Sequence, residues 1–392
     1  MDKQYCRFRE EQIFLVAYIL WMIDALIGIS MWRKIGALNE FGDYLSKVAY
    51  ILFVVQFLSK GRYTWKDIAG IFAVIAVVIW AKKSVYGRHI IATTVMIYLS
   101  ANIDYKKILK CTFVLQSAFM LITILASQVG VIENVIWQEG ESRIRYSIGY
   151  DYCGYPAHLL LFLTLIWFCL RERVTWLELT IWAGINTVMF VWTDARTDYF
   201  LSLLSLGGFY IFRKFHSYKR HKILEFLMKY GCGILAIGSI GIQMIYRQGS
   251  GILQALNQVS SNRLILGYQA INDYGFTLFG RVIRWVGAGG HRSNPELVYN
   301  YVDCAFLKET LTFGIVFLVI LVLWFYWTGK RMVEKAEYML GWAVLVSLLY
   351  AVVNAHLCMV TFNVFILSLS DLFCKESEKL SGVRKRQERS YQ

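Results

Sequence analysis

The organisation of the chain is decided by residues 247–301, which read RQGSGILQALNQVSSNRLILGYQAINDYGFTLFGRVIRWVGAGGHRSNPELVYNY. This is the only long polar segment, and apolar stretches of membrane-spanning length fill nearly everything before and after it. Its basic residues are all arginine and include no lysine: Arg247, Arg263, Arg281, Arg284 and Arg292. We interpret residues 247–300 as one large loop outside the membrane.

Composition indicates an integral membrane protein. Of the 392 residues, 57% are hydrophobic and 17% are charged, and the mean hydropathy is +0.47. So little polar surface could not keep so much apolar side chain in solution. The net charge of +14 invites a nucleic-acid interpretation, but the basic residues form short clusters between apolar stretches, which membrane topology explains better. We therefore expect no nucleic-acid partner.

Apolar stretches long enough to cross ~30 Å of hydrocarbon predict about twelve transmembrane helices. Irregular backbone facing lipid would leave amides unpaired, so helices are the expected structure. The predicted fold is therefore all-α, with one membrane domain over residues 1–392. The predicted spans are 12–30, 43–59, 67–81, 88–101, 108–129, 155–170, 176–193, 197–213, 224–246, 302–327, 337–354 and 356–373.

The distribution of lysine and arginine predicts that both termini are cytoplasmic, because most of the 41 basic residues then lie in cytoplasmic loops. Residues 130–154, 193–197 and 247–300 would lie on the opposite, outer side. Within the large loop, apolar residues recur at helical spacing over 252–259 and 264–271, which predicts two short helices, with Ser260 or Ser261 capping the second. The part after them is rich in glycine and is predicted to be irregular.

Arginine is the only basic residue type in the predicted outer segments from residue 130 as far as Lys308, and Arg143, Arg145 and Arg196 add to those of the large loop. A guanidinium group is a planar fork that matches two phosphate oxygens at once. The pattern therefore favours pyrophosphate binding. The alternative is ordinary loop solubility with local salt bridges, such as Arg196 with Asp194 or Asp198.

Two residues are candidates for a general base that would activate a hydroxyl group: Asp303 and His291. The simpler interpretations are that Asp303 caps the following helix and that His291 is a solvated loop residue. In the turn before the predicted span 197–213, Thr197 or Asp198 is expected to be the N-cap. No nucleotide-binding motif or metal-ligand spacing is visible, so we expect no cofactor and no metal.

Four segments, in order, resemble the Wzy-type polymerases of bacterial surface polysaccharides, which are related to the O-antigen ligases. They are RIRYSIGY at 143–150, TDARTDYF at 193–200, NRLILGYQAINDYGFTLFG at 262–280 and YVDCAFLKETLTFGIVF at 301–317. In this family an outer arginine precedes Ser-x-Gly-aromatic, and Ser/Ala-Arg-Thr opens a helix. The chain departs from it where DYCGYP replaces His-Pro-Asn, and where Val302 and Asp303 replace the His-Asn of the ligases, which makes ligase activity the less favoured alternative.

The resemblance implies a GT-C-like membrane fold in the bacterial plasma membrane. It also implies a polymerase that transfers a growing glycan from undecaprenyl pyrophosphate to a lipid-linked oligosaccharide repeat unit, with a flippase and a chain-length regulator as protein partners. Substrate contacts are assigned to Arg143, Arg145, Arg196, Arg263 and Arg281. Arg143 or Arg145, Arg196 and Arg281 are expected to converge on the pyrophosphate, with Arg247 and Arg292 on the solvated rim.

Two rival functions come from other classes. A flippase or other transporter of lipid-linked oligosaccharides would line a central cavity with charge and often has repeated halves, neither of which is evident in this sequence. A polytopic sensor would carry a signalling domain, which is not visible either.

Overall fold

A computed structural model describes residues 3–59, 70, 72, 87–139, 143–171, 174–214, 222–246, 251–287, 296 and 298–373. Helices dominate these residues. In chain order they are α1 Lys3–Gly28, α2 Gly36–Leu58, α3 Gly87–Leu99, α4 Tyr105–Gln128, α5 Tyr155–Leu170, α6 Trp176–Thr193, α7 Arg196–Lys214, α8 Lys222–Met244, α9 Gly251–Val259, α10 Arg263–Tyr274, α11 Ala305–Phe313, α12 Ile315–Glu334 and α13 Tyr338–Val353. A 3-10 turn, Met31–Lys34, joins α1 to α2, and a 3-10 helix, Val364–Phe373, follows α13.

Within the described residues, five helices are long and apolar enough to cross a membrane, as expected of a polytopic membrane protein. They lie in α1, α2, α4, α8 and α12. Four shorter apolar helices accompany them: His89–Leu99, Tyr155–Leu170, Tyr338–Val353 and Val364–Phe373. The predicted span 67–81 lies almost entirely outside the described residues. Most of the other predicted spans coincide with helices to within a few residues at most of their ends.

Two predicted spans were wrong as continuous α-helices. The predicted span 302–327 is broken at Gly314, where φ is +95°, so that α11 and α12 are separate helices. Most of the predicted span 356–373 is not α-helical, since an irregular segment over 354–363 leads into the 3-10 helix Val364–Phe373. Apolar composition could not reveal either feature, because both segments are apolar whatever their backbone conformation.

The prediction of an all-α chain also misses a β-hairpin in the segment 130–154. Strands β1 Ile136–Glu139 and β2 Arg143–Tyr146 pair antiparallel, with Trp137 opposite Arg145. An isolated bridge between Ser30 and Tyr150 ties the chain after the hairpin to the end of α1. The hairpin is therefore held against the same end of the bundle as the α1–α2 connection.

Helices α5 and α13 form the centre of the bundle. Nearly every side chain of α5 is buried, and Phe162 of α5 packs edge to face against Tyr350 of α13 with ring centroids 5.1 Å apart. Helices α7 and α8 flank α13, and α12 packs on α8. By contrast, α2, α4, α8 and α12 expose many large apolar side chains, which suits contact with lipid.

The two short helices predicted in the large loop are confirmed as α9 and α10, but the predicted cap of the second is wrong. Its N-cap residue is Asn262, which has a left-handed φ of 63° and makes no side-chain capping bond. Ser261 also has a positive φ, 56°, so the two residues form a tight left-handed turn between the helices. The geometry of that turn, and not a serine side chain, sets the start of α10.

Candidate functional site

Two arginines of the hairpin lie on the same face of strand β2. Side chains alternate between the faces of a strand, so Arg143 and Arg145 share one face, which points to the turn between α6 and α7. Arg143 donates from Nε to Asp194 Oδ2 over 2.5 Å and from Nη2 to the Asp194 carbonyl over 3.1 Å. Arg145 donates from Nε to the carbonyl of Thr193 over 2.9 Å. Both arginines of the hairpin therefore hydrogen-bond to the end of α6.

Asp194 is the centre of this turn. It ends α6 in the left-handed conformation, with φ 43°, and Arg196 donates to its Oδ1 over 3.2 Å. Burial raises the pKa of the Asp194 carboxyl, but hydrogen bonds from Arg143 and Arg196 outweigh burial and hold the pKa below its ordinary value. The salt bridge foreseen as the simpler explanation for Arg196 is therefore present. Arg196 still exposes 66% of its side chain.

Arg145 is the buried member of the set, with 7% of the residue exposed. Its guanidinium carbon lies 5.8 Å from the ring centre of Tyr152, and it also hydrogen-bonds the Tyr152 side chain. Burial raises the pKa of the Tyr152 hydroxyl, Arg145 opposes that shift, and the charge of Asp303 adds to it. Tyr152 is thus near both Arg145 and the segment that carries Asp303.

Asp303 and Arg263 form the second half of the site. Arg263 stands in the first turn of α10, and its Nε donates to Asp303 Oδ2 over 2.8 Å, with about a quarter of each side chain exposed. Burial lowers the pKa of Arg263, but the carboxylate of Asp303 raises it more, and Tyr152 and Asp198 also raise it. Asp303 is not the N-cap of α11, since Cys304 holds that position.

A buried contact between a histidine and an aspartate was missed by the sequence analysis, which considered Asp198 only as an N-cap or as a partner of Arg196 and did not single out His158. His158 Nδ1 and Asp198 Oδ1 are 2.6 Å apart, and the two side chains are 5% and 6% exposed. Asp198 therefore binds His158 and is not the N-cap of α7, which begins at Arg196. A second histidine, His356, lies near His158, with ring centroids 5.5 Å apart and the rings tilted to each other. Nδ1 of His356 lies 3.2 Å from the hydroxyl of Tyr350.

The contact of His158 with Asp198 and the nearby His356 were missed because their segments were treated as uniform membrane spans. A signal was nevertheless available, since an ionisable residue inside an apolar span is costly and is often functional. The same signal would have pointed to Lys308 and Glu309 in α11, both of which are buried. The Lys308 ammonium donates to the hydroxyl of Tyr301 over 3.1 Å. This end of the bundle therefore contains more polar groups than the loops alone suggested.

The remaining candidates from the sequence do not join the arginine cluster. Arg281 is exposed, and its side chain makes no hydrogen bond or ion pair with the described part of the chain. His291 lies outside the described residues, as do Arg247 and Arg292. Arg143, Arg145 and Arg196 thus lie around one turn, while Arg281 stands apart, and the expected convergence on a pyrophosphate stays a prediction.

The site therefore has guanidinium groups from three separate segments: strand β2, the α6–α7 turn and the start of α10. Arg263 binds the carboxylate of Asp303, Tyr152 lies near both Arg145 and Asp303, and Arg196 shares Asp194 with Arg143. Such an arrangement can hold a phosphate-bearing group through charge-assisted hydrogen bonds. Among the described residues, no group of three or more His, Cys, Asp or Glu side chains is placed to hold a metal ion. Comparison with protein-family models, with curated proteins and with solved structures gave no match.

Proposed function

We propose that the protein is a polysaccharide polymerase. It would transfer a growing glycan from undecaprenyl pyrophosphate to a lipid-linked oligosaccharide repeat unit, at the outer face of the bacterial plasma membrane. The observation that carries the proposal is that Arg145 and Arg263, from segments far apart in the chain, lie near Tyr152 and Asp303. Arg196 stands beside them at the α6–α7 turn, where Arg143 and Arg145 of the same hairpin also bind. The bundle itself would be a GT-C-like scaffold that holds these segments at one end, with both chain termini on the cytoplasmic side.

Pyrophosphate needs little chemical help to leave, so catalysis reduces largely to stabilising the charge that develops on it. Fixed guanidinium groups in a partly buried site supply that stabilisation without reorganising. Arg145 is the most buried of them and is held by Thr193 and Tyr152, so its orientation is set before any substrate arrives. Arg196 is two-thirds exposed and is the member best placed to turn toward an incoming anion.

In the proposed reaction, the acceptor hydroxyl oxygen forms a bond to the anomeric carbon of the donor sugar. The bond from that carbon to the pyrophosphate oxygen breaks, and its electron pair leaves with undecaprenyl pyrophosphate. Asp303 would accept the proton of the hydroxyl. Its Oδ2 accepts from Arg263, while its Oδ1 makes no hydrogen bond within the described residues.

The test is a reaction of purified protein, in lipid vesicles, with undecaprenyl-pyrophosphate-linked repeat units and no nucleotide. Chain extension on a gel supports the polymerase. Movement of the same lipid across the bilayer without extension would instead identify a flippase. Transfer of a preformed glycan to a different lipid acceptor, with no extension of the repeat unit, would identify a ligase-type transferase.

A further inference from the structure

Helix α9 presents an exposed apolar stripe. Ile252, Leu256 and Val259 are 79%, 44% and 86% exposed, and their spacing of four and three residues places them on one face of the helix. Large apolar side chains seldom gather in water on so short an element, because leaving them exposed is unfavourable. Some apolar phase or surface therefore covers this face.

The other two sides of α9 face different surroundings. At about 100° per residue, Gln254 lies roughly opposite the apolar stripe, with Asn257 to one side of it and Gln258 to the other. Asn257 is buried and marks the protein side, whereas Gln254 and Gln258 are exposed. No charged residue occurs in the helix. An apolar side, a protein side and an uncharged polar side are what a helix needs where lipid, protein and water meet.

Helix α8, a candidate membrane span, has an apolar surface at its end. Its last residue, Met244, and the following Ile245 are 52% and 64% exposed, after an exposed Ile237 two turns earlier. Tyr246 contacts Tyr268 of α10 edge to face, with ring centroids 6.2 Å apart. Because Asn257 bonds α9 to the start of α10, α9 lies at the same end of the bundle as the end of α8.

We propose that α9 lies in the surface of the lipid bilayer, with Ile252, Leu256 and Val259 in contact with lipid and the two glutamines facing water. The occupant of the stripe is thus the membrane interface. The inference is independent of the proposed polymerase activity, because it depends only on the apolar stripe and on its place after α8.

The position of α9 in the membrane interface also sets how far the candidate site lies from the bilayer. Asn257 Oδ1 accepts from the backbone amide of Ile265 over 3.0 Å, and Asn257 Nδ2 donates to Asn262 Oδ1 over 2.9 Å. These bonds clamp α9 to the first turn of α10, which carries Arg263. With α9 in the membrane interface, the pair of Arg263 and Asp303 lies near the level of lipid phosphate groups.

The experiment places a fluorescent reporter at single cysteines in a full-length chain whose own cysteines are replaced. The variants Ile252→Cys, Leu256→Cys and Val259→Cys report on the stripe, and Gln254→Cys and Gln258→Cys are matched controls on the same helix. Each is labelled with an environment-sensitive dye and reconstituted in vesicles of phosphatidylcholine and phosphatidylglycerol. Quenching is measured with nitroxide-bearing lipid and with aqueous iodide.

The three stripe positions should show blue-shifted emission and quenching by the nitroxide lipid, and the two glutamine positions should show quenching by iodide. Quenching of all five positions by iodide alone would overturn the proposal. So would a blue shift that appears only when several chains share a vesicle, because the stripe would then be covered by a second copy.

A second variant separates lipid contact from folding. With the dye at position 259, Leu256→Asp puts a charge into the stripe and should reduce quenching by the nitroxide lipid, whereas Gln254→Asp puts the same charge on the water side and should not. Both variants should elute as a single species in detergent. Equal lipid quenching in the two variants would contradict a membrane contact through this stripe.

Discussion

Arg263 and Asp303 form an ion pair, with Nε and Oδ2 2.8 Å apart, that joins the first turn of α10 to the segment just before α11. The pair ties the start of α10 to the end of the irregular segment that follows this helix. Arg263 and Asp303 both lie close enough to Tyr152 to interact with it electrostatically, and Tyr152 contacts Arg145 of the hairpin. The loop and the hairpin therefore build one site.

The first prediction concerns this pair. Arg263→Lys should reduce polymer formation by about one to two powers of ten, because losing one charge-assisted contact costs about 1.5–3 kcal/mol and a lysine cannot replace the fork. Asp303→Asn should lower the rate at least as much, since the amide cannot accept a proton. The measurement is the extension rate of lipid-linked repeat units by purified variants.

Arg284→Lys is the matched control for this comparison. Arg284 lies in the same loop and is exposed, and within the described residues its backbone carbonyl accepts from Asn300 while its side chain makes no hydrogen bond or ion pair. Its variant should extend chains at the wild-type rate. If Arg263→Lys and Asp303→Asn also do so, neither residue takes part in the reaction.

The second prediction concerns Arg281, which the sequence analysis assigned to the pyrophosphate site. In the structure this side chain is exposed and is not joined to the arginine cluster, so Arg281→Lys should leave polymer length unchanged while Arg145→Lys shortens it. Gels of polymer from cells that carry each variant, with membrane abundance measured beside them, check this. Loss of polymer in Arg281→Lys at normal abundance would restore the original assignment.

The third prediction concerns the buried contact of His158 with Asp198. Replacing either residue leaves a polar partner buried without its hydrogen bond, so His158→Ala and Asp198→Ala should each lower the melting temperature in detergent, at a cost of about 1.5–3 kcal/mol. The destabilisation of the double variant should be smaller than the sum of the destabilisations of the two single variants, because the contact can be lost only once. Additive effects would show that the two side chains do not depend on each other.

The fourth prediction concerns the contact between the loop and the break at Gly314. Gly280 has φ +72°, and a Cβ there would lie 2.1 Å from the Thr312 carbonyl oxygen, so Gly280→Ala should push the loop away from α11. Gly287→Ala is the control, since its nearest neighbour would be 3.4 Å away in a side chain. Limited proteolysis in detergent should cleave the first variant faster than the second. Equal cleavage would argue against a tight contact.

The fifth prediction concerns pH and the pKa of Asp194. Arg143 and Arg196 hold this pKa below the ordinary value of 3.8, so the ionised carboxylate stabilises the folded state at higher pH, and the contribution is lost as the pH falls below that value. The melting temperature of wild type should exceed that of Asp194→Asn above pH 4 and approach it in more acidic buffer. Asp273→Asn replaces an exposed carboxylate, and its melting temperature should not converge with that of wild type in this way. A difference that stays constant with pH would exclude the ionic contribution.

Much of the helical architecture could be predicted from the sequence. The helices Tyr155–Leu170 and Trp176–Thr193 have the bounds predicted from their apolar length, because an apolar segment without water to bond its backbone satisfies its hydrogen bonds as a helix. The two short helices of the large loop were also visible, since the apolar residues of α9 and α10 recur with helical periodicity. The bias toward arginine pointed to Arg145, Arg196 and Arg263 as site residues, and their functional role stays a prediction.

Tertiary structure decided the rest. The hairpin pairs Trp137 with Arg145 through backbone bonds between segments that no periodicity links, and the contact of His158 with Asp198 joins two helices 40 residues apart in the chain. At the break, a Cβ at position 314 would lie 2.2 Å from the carbonyl oxygen of Leu278 in the loop, so the close approach of the two segments requires glycine there. Local composition specifies which segments become helices, but which polar groups face each other depends on contacts between distant segments.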